Sequence, residues 1–305
     1  MCRMIAAVGR FEMAPLVDAV KMMASNMNPA YDHELRAKGG ALVHDCGWGV
    51  AFREGSRLIR RRSAVSCLDD AEFDSLSGVE TDLVILHARR TPNRDTINVL
   101  NSQPFLQEWR GEEWAFCHNG AVSDLTQLRS DDSLEPAGGI DSELLFHHVL
   151  TLLDTSRVAE SLSEILRGMR DFTCLNCFLA TKEHITVHTR VSPDTSRPLY
   201  YTPWIARGSD VTVVSSEVVS PVALEWERVT DGSALVLSPR GVHLSSRSLI
   251  HSVICAIITI LGRVCRFRTL PQAVTRLVRL KGPTVTWTYP RSRSVRCGIR
   301  PDVHP

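Results

Sequence analysis

A buried strand begins almost at the first residue of this chain. Ile5-Ala6-Ala7-Val8 is an unbroken apolar run, short enough for a strand and without the polar alternation of a half-exposed one. The chain therefore begins inside the fold. Residues 14–27 follow with a helical pattern, and Pro15 suits its first turn. Further strand-like runs lie at 82–86, 114–117, 184–190 and 211–214, and helical patterns at 142–153 and 160–172. Strands outnumber helices and do not alternate strictly with them, which predicts an α+β fold of antiparallel sheets covered by helices.

Charge divides the chain. Of 35 Lys and Arg residues, 11 fall in residues 246–305 beside a single acid, Asp302, leaving 24 bases against 33 acids in residues 1–245. The acidic body offers no electrostatic footprint for nucleic acid, so no nucleic-acid partner is expected. The expected boundary is residues 2–245 as the globular domain and 246–305 as a basic, poorly ordered extension. Residues 249–261 are apolar but for His251, Ser252 and Thr259, about two thirds of the ~20 residues that span a bilayer, so membrane contact by the tail is not the expectation. Nine scattered cysteines, an odd number, argue against a disulfide framework and for a reducing, cytoplasmic compartment.

Several motifs can carry chemistry. If Met1 is removed, Cys2 holds both a thiol and a free α-amine, which titrates near ~8 and can accept the thiol proton. Gly47-Trp48-Gly49 suits a backbone that approaches a ligand, with the Trp48 indole as one wall, or else a strand bend around a core tryptophan. The strand at 83–86 runs into His87-Ala88-Arg89-Arg90, clustering polar and basic groups at a strand end, where sites are commonly built; solvated surface arginines are the alternative. In His118-Asn119-Gly120 an apolar strand leads into an amide side chain and a glycine N–H, two natural oxyanion donors. The same pair also reads as an Asn-Gly hairpin turn. Asp141, at the start of the helical pattern, is either an N-cap or a carboxylate facing a substrate ammonium. Cys174 and Cys177 have metal-ligand spacing without a second pair, so neither metal nor cofactor is expected.

In order and spacing, Cys2-Arg3, Gly47-Trp48-Gly49, His87-Ala88-Arg89, Asn101-Ser102-Gln103-Pro104-Phe105, His118-Asn119-Gly120 and Asp141-Ser142-Glu143 resemble the class II glutamine amidotransferases, specifically their short stand-alone members. The likeness spans roughly residues 2–230. It implies a four-layer αββα sandwich of the Ntn-hydrolase type, two stacked antiparallel sheets between helical layers. It also implies Cys2 as nucleophile with its α-amine as base, and the Asn119 amide with the Gly120 N–H as oxyanion hole. Arg89 and Asp141 would bind the α-carboxylate and α-ammonium of a γ-glutamyl group, with Trp48 and His87 nearby. Cys46 stands where an acid commonly precedes Gly-Trp-Gly, and Gln103 where a histidine is often seen. Cys174-Leu175-Asn176 and Ser215-Ser216-Glu217 look like further family segments.

The resulting expectation is an amidohydrolase that cuts a γ-glutamyl amide through a Cys2 thioester. The substrate is a small γ-glutamyl molecule: either glutamine, with a partner subunit accepting the ammonia, or a γ-glutamyl peptide hydrolysed outright. Because short stand-alone members include γ-glutamyl peptide hydrolases, the likeness favours hydrolysis. The alternative is a non-catalytic γ-glutamyl-binding or regulatory module in which Met1 stays attached and blocks the amine.

Overall fold

In a computed structural model of the chain, the residues described are 2–28, 42–194, 202–239 and 241–244. The basic extension, with its apolar run at 249–261, lies outside them. In chain order the elements are β1 (Arg3–Gly9), α1 (Met13–Ala24), β2 (Trp48–Glu54), β3 (Arg57–Ser63), α2 (Ala71–Ser75), β4 (Leu83–Ala88), β5 (Phe105–Trp109) and β6 (Glu112–Val122). There follow α3 (Asp141–Leu152), α4 (Val158–Gly168), β7 (Phe172–Ala180), β8 (Ile185–His188), β9 (Trp204–Arg207), β10 (Val211–Ser215), β11 (Trp226–Arg228), β12 (Ala234–Ser238) and β13 (Gly241–Leu244).

The strands form two sheets, ordered β11-β9-β10-β1-β4-β2-β3 and β13-β12-β8-β7-β6-β5. β1 is the middle strand of the first, antiparallel to β4 and β10. Its apolar run is continuous because both faces are covered. Ile5 and Ala7 pack outward beneath α1 with Leu16, Val20 and Met23. Met4, Ala6 and Val8 pack inward against Cys117, Phe178 and Val187 of the second sheet. On the far side of that sheet, Phe116, Leu175 and Leu179 meet Phe146, Val149 and Leu162 of α3 and α4. The order helix, sheet, sheet, helix is the four-layer α+β sandwich that the family resemblance implies. Each fully buried large apolar side chain contributes about 1.5–3 kcal/mol, and the three clusters they form hold the layers together.

Element boundaries differ from the sequence expectations in ways with local causes. α1 stops at Ala24 instead of residue 27, because Asn26 adopts a left-handed conformation (φ +59°) that ends the helix. α4 stops at Gly168, well before residue 172: the chain becomes extended at Met169, turns at Asp171 (φ +51°), and Phe172 opens β7. β3 gave no strand signal because it carries Arg57, Arg60, Arg61 and Arg62. It is an edge strand, where charge discourages pairing with another chain. The Asn119-Gly120 pair is not a hairpin turn; both residues lie within β6, paired with Asn176 and Leu175 of β7. The six described cysteines are free thiols. Among the described residues no helix is long and apolar enough to cross a membrane.

Candidate active site

Cys2 sits at the entrance to the central strand β1, held there largely through the residues that follow it. Met4 N donates to Ser216 Oγ and Ser216 N to Met4 O, both at 2.9 Å, locking the first turn of chain onto the end of β10. Arg3 is buried and its Nε lies 2.5 Å from Glu217 Oε1, while its Nη1 donates to the Cys2 carbonyl at 3.2 Å. Glu217 in turn accepts from Asn28 Nδ2 at 2.9 Å. Arg3 and Glu217 are 214 residues apart, so their pairing was invisible in sequence, although each belongs to a segment with family likeness.

The other half of the site comes from the second sheet. Asn119 points between the sheets, and its Oδ1 accepts from Cys2 N at 2.9 Å. Its amide nitrogen is thereby left as a donor for an incoming group. Behind it, Cys174 Sγ donates to the Asn119 carbonyl at 2.9 Å, and Thr189 Oγ1 to Asn176 Oδ1 at 2.7 Å, a buried polar layer that fixes the strand's height. At Gly120 (φ +157°) an added Cβ would stand 1.8 Å from the Cys174 carbonyl oxygen, so only glycine fits. A bulge follows: Ala121 N donates to Thr173 Oγ1 at 3.0 Å and Val122 N to Asp141 Oδ2 at 2.9 Å.

Asp141 is the first residue of α3, not its cap; Ile140 holds the cap position without a side-chain bond. The Asp141 carboxylate therefore sits at the positive end of the helix while bonded to β6. The preceding loop is gathered by Glu143, which accepts from the backbone N–H groups of Ala137, Gly138 and Gly139 at 2.6–3.0 Å. His118 ties the same helix to the sheet, with Nδ1 3.0 Å from Ser142 Oγ and Nε2 3.1 Å from the Cys174 carbonyl. A carbonyl can only accept, so Nε2 carries the proton and Nδ1 accepts from the serine. Burial lowers the His118 pKa against the opposing pull of Asp141 and the Cys174 carbonyl. Gln103, at the position where a histidine is often seen, accepts from His118 N at 2.6 Å and orders β6 through its backbone.

Arg89 follows β4 and is 4% exposed. Its Nη1 and Nη2 donate to Thr96 O and Oγ1 at 3.2 and 2.9 Å, which aims the guanidinium and leaves three of its five N–H donors. Cys2 Sγ lies 3.7 Å from the carbonyl of the next residue, Arg90. Cys2, Arg89, Gly120 and Asp141 all line one cavity of about 590 Å³. A larger one, about 890 Å³, opens at the opposite end of β1 around Gly9, Arg10 and Asp210, and contains none of the sequence-predicted residues.

Two expected residues lie elsewhere. Trp48 is fully buried under α1: Nε1 donates to Asp70 Oδ2 at 2.9 Å and the ring meets Phe73 edge-on at 5.1 Å. It forms no wall of the cavity. Its flanking glycines serve a backbone approach, but by protein: a Cβ at Gly49 would stand 2.4 Å from the Gln103 carbonyl oxygen. His87 is also fully buried, with no partner for either ring nitrogen among the described residues, and does not line the cavity. Burial, reinforced by Arg89 and His118, pushes its pKa down to about 3.

Comparisons with known proteins agree with this architecture. "Putative glutamine amidotransferase" of Haemophilus influenzae is 28% identical over 163 residues, covering 50% of this chain and 55% of that protein. The chain spans about half the length of the curated relatives it matches. Among solved structures, glutamine phosphoribosylpyrophosphate amidotransferase from B. subtilis superposes with a TM-score of 0.58 at 20% identity, over 80% of this chain and 49% of that one. A glutamine aminotransferase class-II domain protein from Silicibacter pomeroyi gives 0.52 at 16%, over 80% and 98%. These two likenesses concern the fold. The family model for class II glutamine amidotransferases matches residues 22–204, more than half of the chain and the span that holds Arg89, Asn119, Gly120 and Asp141, and on that match the chain belongs to the class II glutamine amidotransferases.

Proposed function

We propose that this protein hydrolyses γ-glutamyl amides with Cys2 as nucleophile, after removal of Met1. The observation that carries the reading is the convergence, on one cavity, of Cys2 held to Asn119 at 2.9 Å with Gly120, Arg89 and Asp141. A zwitterionic glutamate head needs one partner of each sign. Arg89 matches the α-carboxylate through parallel charge-assisted bonds, and Asp141 the α-ammonium.

The thiol proton passes to the α-amine, and the thiolate attacks the γ-carbonyl carbon. Negative charge develops on the carbonyl oxygen, where the Asn119 amide N–H and the Gly120 N–H can donate. Collapse breaks the C–N bond, and the leaving amine takes the proton back from the α-ammonium. Water, deprotonated by the same amine, then attacks the thioester; glutamate leaves and the thiol is restored. In this scheme Asn119 works at both ends, its carbonyl orienting the base and its amide N–H facing the oxyanion.

The test is glutamate release from glutamine and from γ-glutamyl dipeptides by the purified chain, with intact mass recording the state of the amino terminus. Cys2→Ala is expected to abolish release while leaving the circular dichroism spectrum unchanged. Undiminished turnover in that variant would refute the scheme.

A further inference from the structure

The cavity has more volume and more positive charge than a glutamine requires. Glutamine has ten heavy atoms, and at the ~30 Å³ that each water molecule takes in the liquid it fills no more than about 300 Å³. The cavity measures about 590 Å³. Of the charged residues lining it, Arg89 and Asp141 balance each other and suffice for the glutamate head. The third is Arg90, half-buried, with no side-chain hydrogen bond or ion pair among the described residues. An adjoining cavity of about 320 Å³ shares Arg90, Thr91 and Pro92. There Arg94 is already paired with Asp45 at 3.0 Å, so no free acid on that side neutralises Arg90 either.

Position matters as much as charge. The Arg90 carbonyl lies 3.7 Å from Cys2 Sγ, so the residue stands beside the atom from which a leaving amine departs. In a γ-glutamyl amino acid the leaving nitrogen is two bonds from a carboxylate carbon. That carboxylate falls within an arginine's reach of the reacting sulfur.

Resting on the γ-glutamyl amidase reading, we propose that Arg90 receives a carboxylate on the leaving group, making γ-glutamyl amino acids and peptides with an anionic leaving amine the preferred substrates. A half-buried guanidinium without a partner gains most from a ligand that brings its own charge. Glutamine, whose leaving group is ammonia, leaves Arg90 unmatched and the extra volume to water.

The experiment compares γ-glutamylglycine with γ-glutamylglycinamide, which differ only in charge at the leaving end. Wild-type kcat/KM is expected to favour the acid by about 10- to 100-fold, as for a charge-assisted contact. In Arg90→Gln that ratio should collapse toward one, with Arg90→Lys between. A wild-type ratio near one, or a ratio that survives Arg90→Gln, overturns the proposal and leaves the amidase reading intact. Calorimetric titration of the Cys2→Ala protein with both ligands repeats the comparison without turnover. If the wild-type chain cleaves neither compound nor glutamine, the amidase reading falls, and the calorimetric ratio still decides for or against Arg90.

Discussion

The main-chain nitrogen of Cys2 and the side-chain oxygen of Asn119 meet at 2.9 Å although they belong to different sheets. This contact commits one end of the asparagine amide and orients the other. Asn119→Ala is expected to lower kcat by about 10²–10³-fold, the usual cost of one oxyanion donor. Asn119→Asp keeps the acceptor but loses the N–H, so it should rescue none of the loss. Steady-state kinetics on a γ-glutamyl substrate decide this, and an aspartate variant with near wild-type kcat would show that the amide nitrogen is not a donor to the reaction.

Asp141 has one observed contact and one proposed role, and a single substitution separates them. Its Oδ2 accepts from Val122 N, a bond that an asparagine oxygen can also accept, whereas charge is needed only for a substrate ammonium. Asp141→Asn should therefore raise KM by about 10- to 100-fold, corresponding to a hydrogen bond with a charged group, with little change in melting temperature. A parallel fall in stability would mean that the carboxylate is chiefly structural.

Gly120→Ala acts on the fold first. The new methyl group would meet the Cys174 carbonyl oxygen at 1.8 Å, and that oxygen is main chain in the neighbouring strand. Overpacking usually costs about 1–3 kcal/mol, and a backbone obstruction belongs at or above the top of that range. Urea denaturation should reveal a lowered midpoint; an unshifted one would contradict the close approach.

His87 makes stability depend on pH. Its pKa is pushed down to about 3 in the fold, against about 6.5 in an unfolded chain. Protonation therefore favours unfolding: the stabilisation is complete above pH 6.5 and is lost as pH falls toward 3, at about 1.4 kcal/mol per unit. His118 and His188 shift in the same direction, so the slopes add. Unfolding free energies measured from pH 7 to 4 should fall steadily, and His87→Leu should remove about one proton from that slope. An unchanged slope would place the acid sensitivity elsewhere.

Legibility in sequence followed the nature of each signal. β1, β4, β6, β10 and the two helices over the second sheet were readable because burial on both faces or on one helical stripe leaves continuous or periodic apolar patterns. β3 hid behind its arginines, and β9 and β11 are four and three residues long. Cys2, Arg89, Gly120 and Asp141, named from separate motifs, line one cavity. Trp48 and His87 were misplaced for one reason: adjacent strand residues face opposite sides, and a motif does not say which side meets solvent. Trp48 turned to the helix layer and His87 into the space between the sheets. Gln103 was noted only as a departure, and its bond to a main-chain nitrogen of β6 has no sequence signature.

Because Cys2 rides on one sheet and its amide partner Asn119 on the other, their alignment depends on the apolar layer between, around Phe178, Ile185 and Val187. Under the proposed mechanism, turnover is a ruler laid across the interior. Slippage of about 1 Å between reacting groups can cost about 10²-fold in rate, so a loosened middle layer would register as lost activity well before it registered as lost shape.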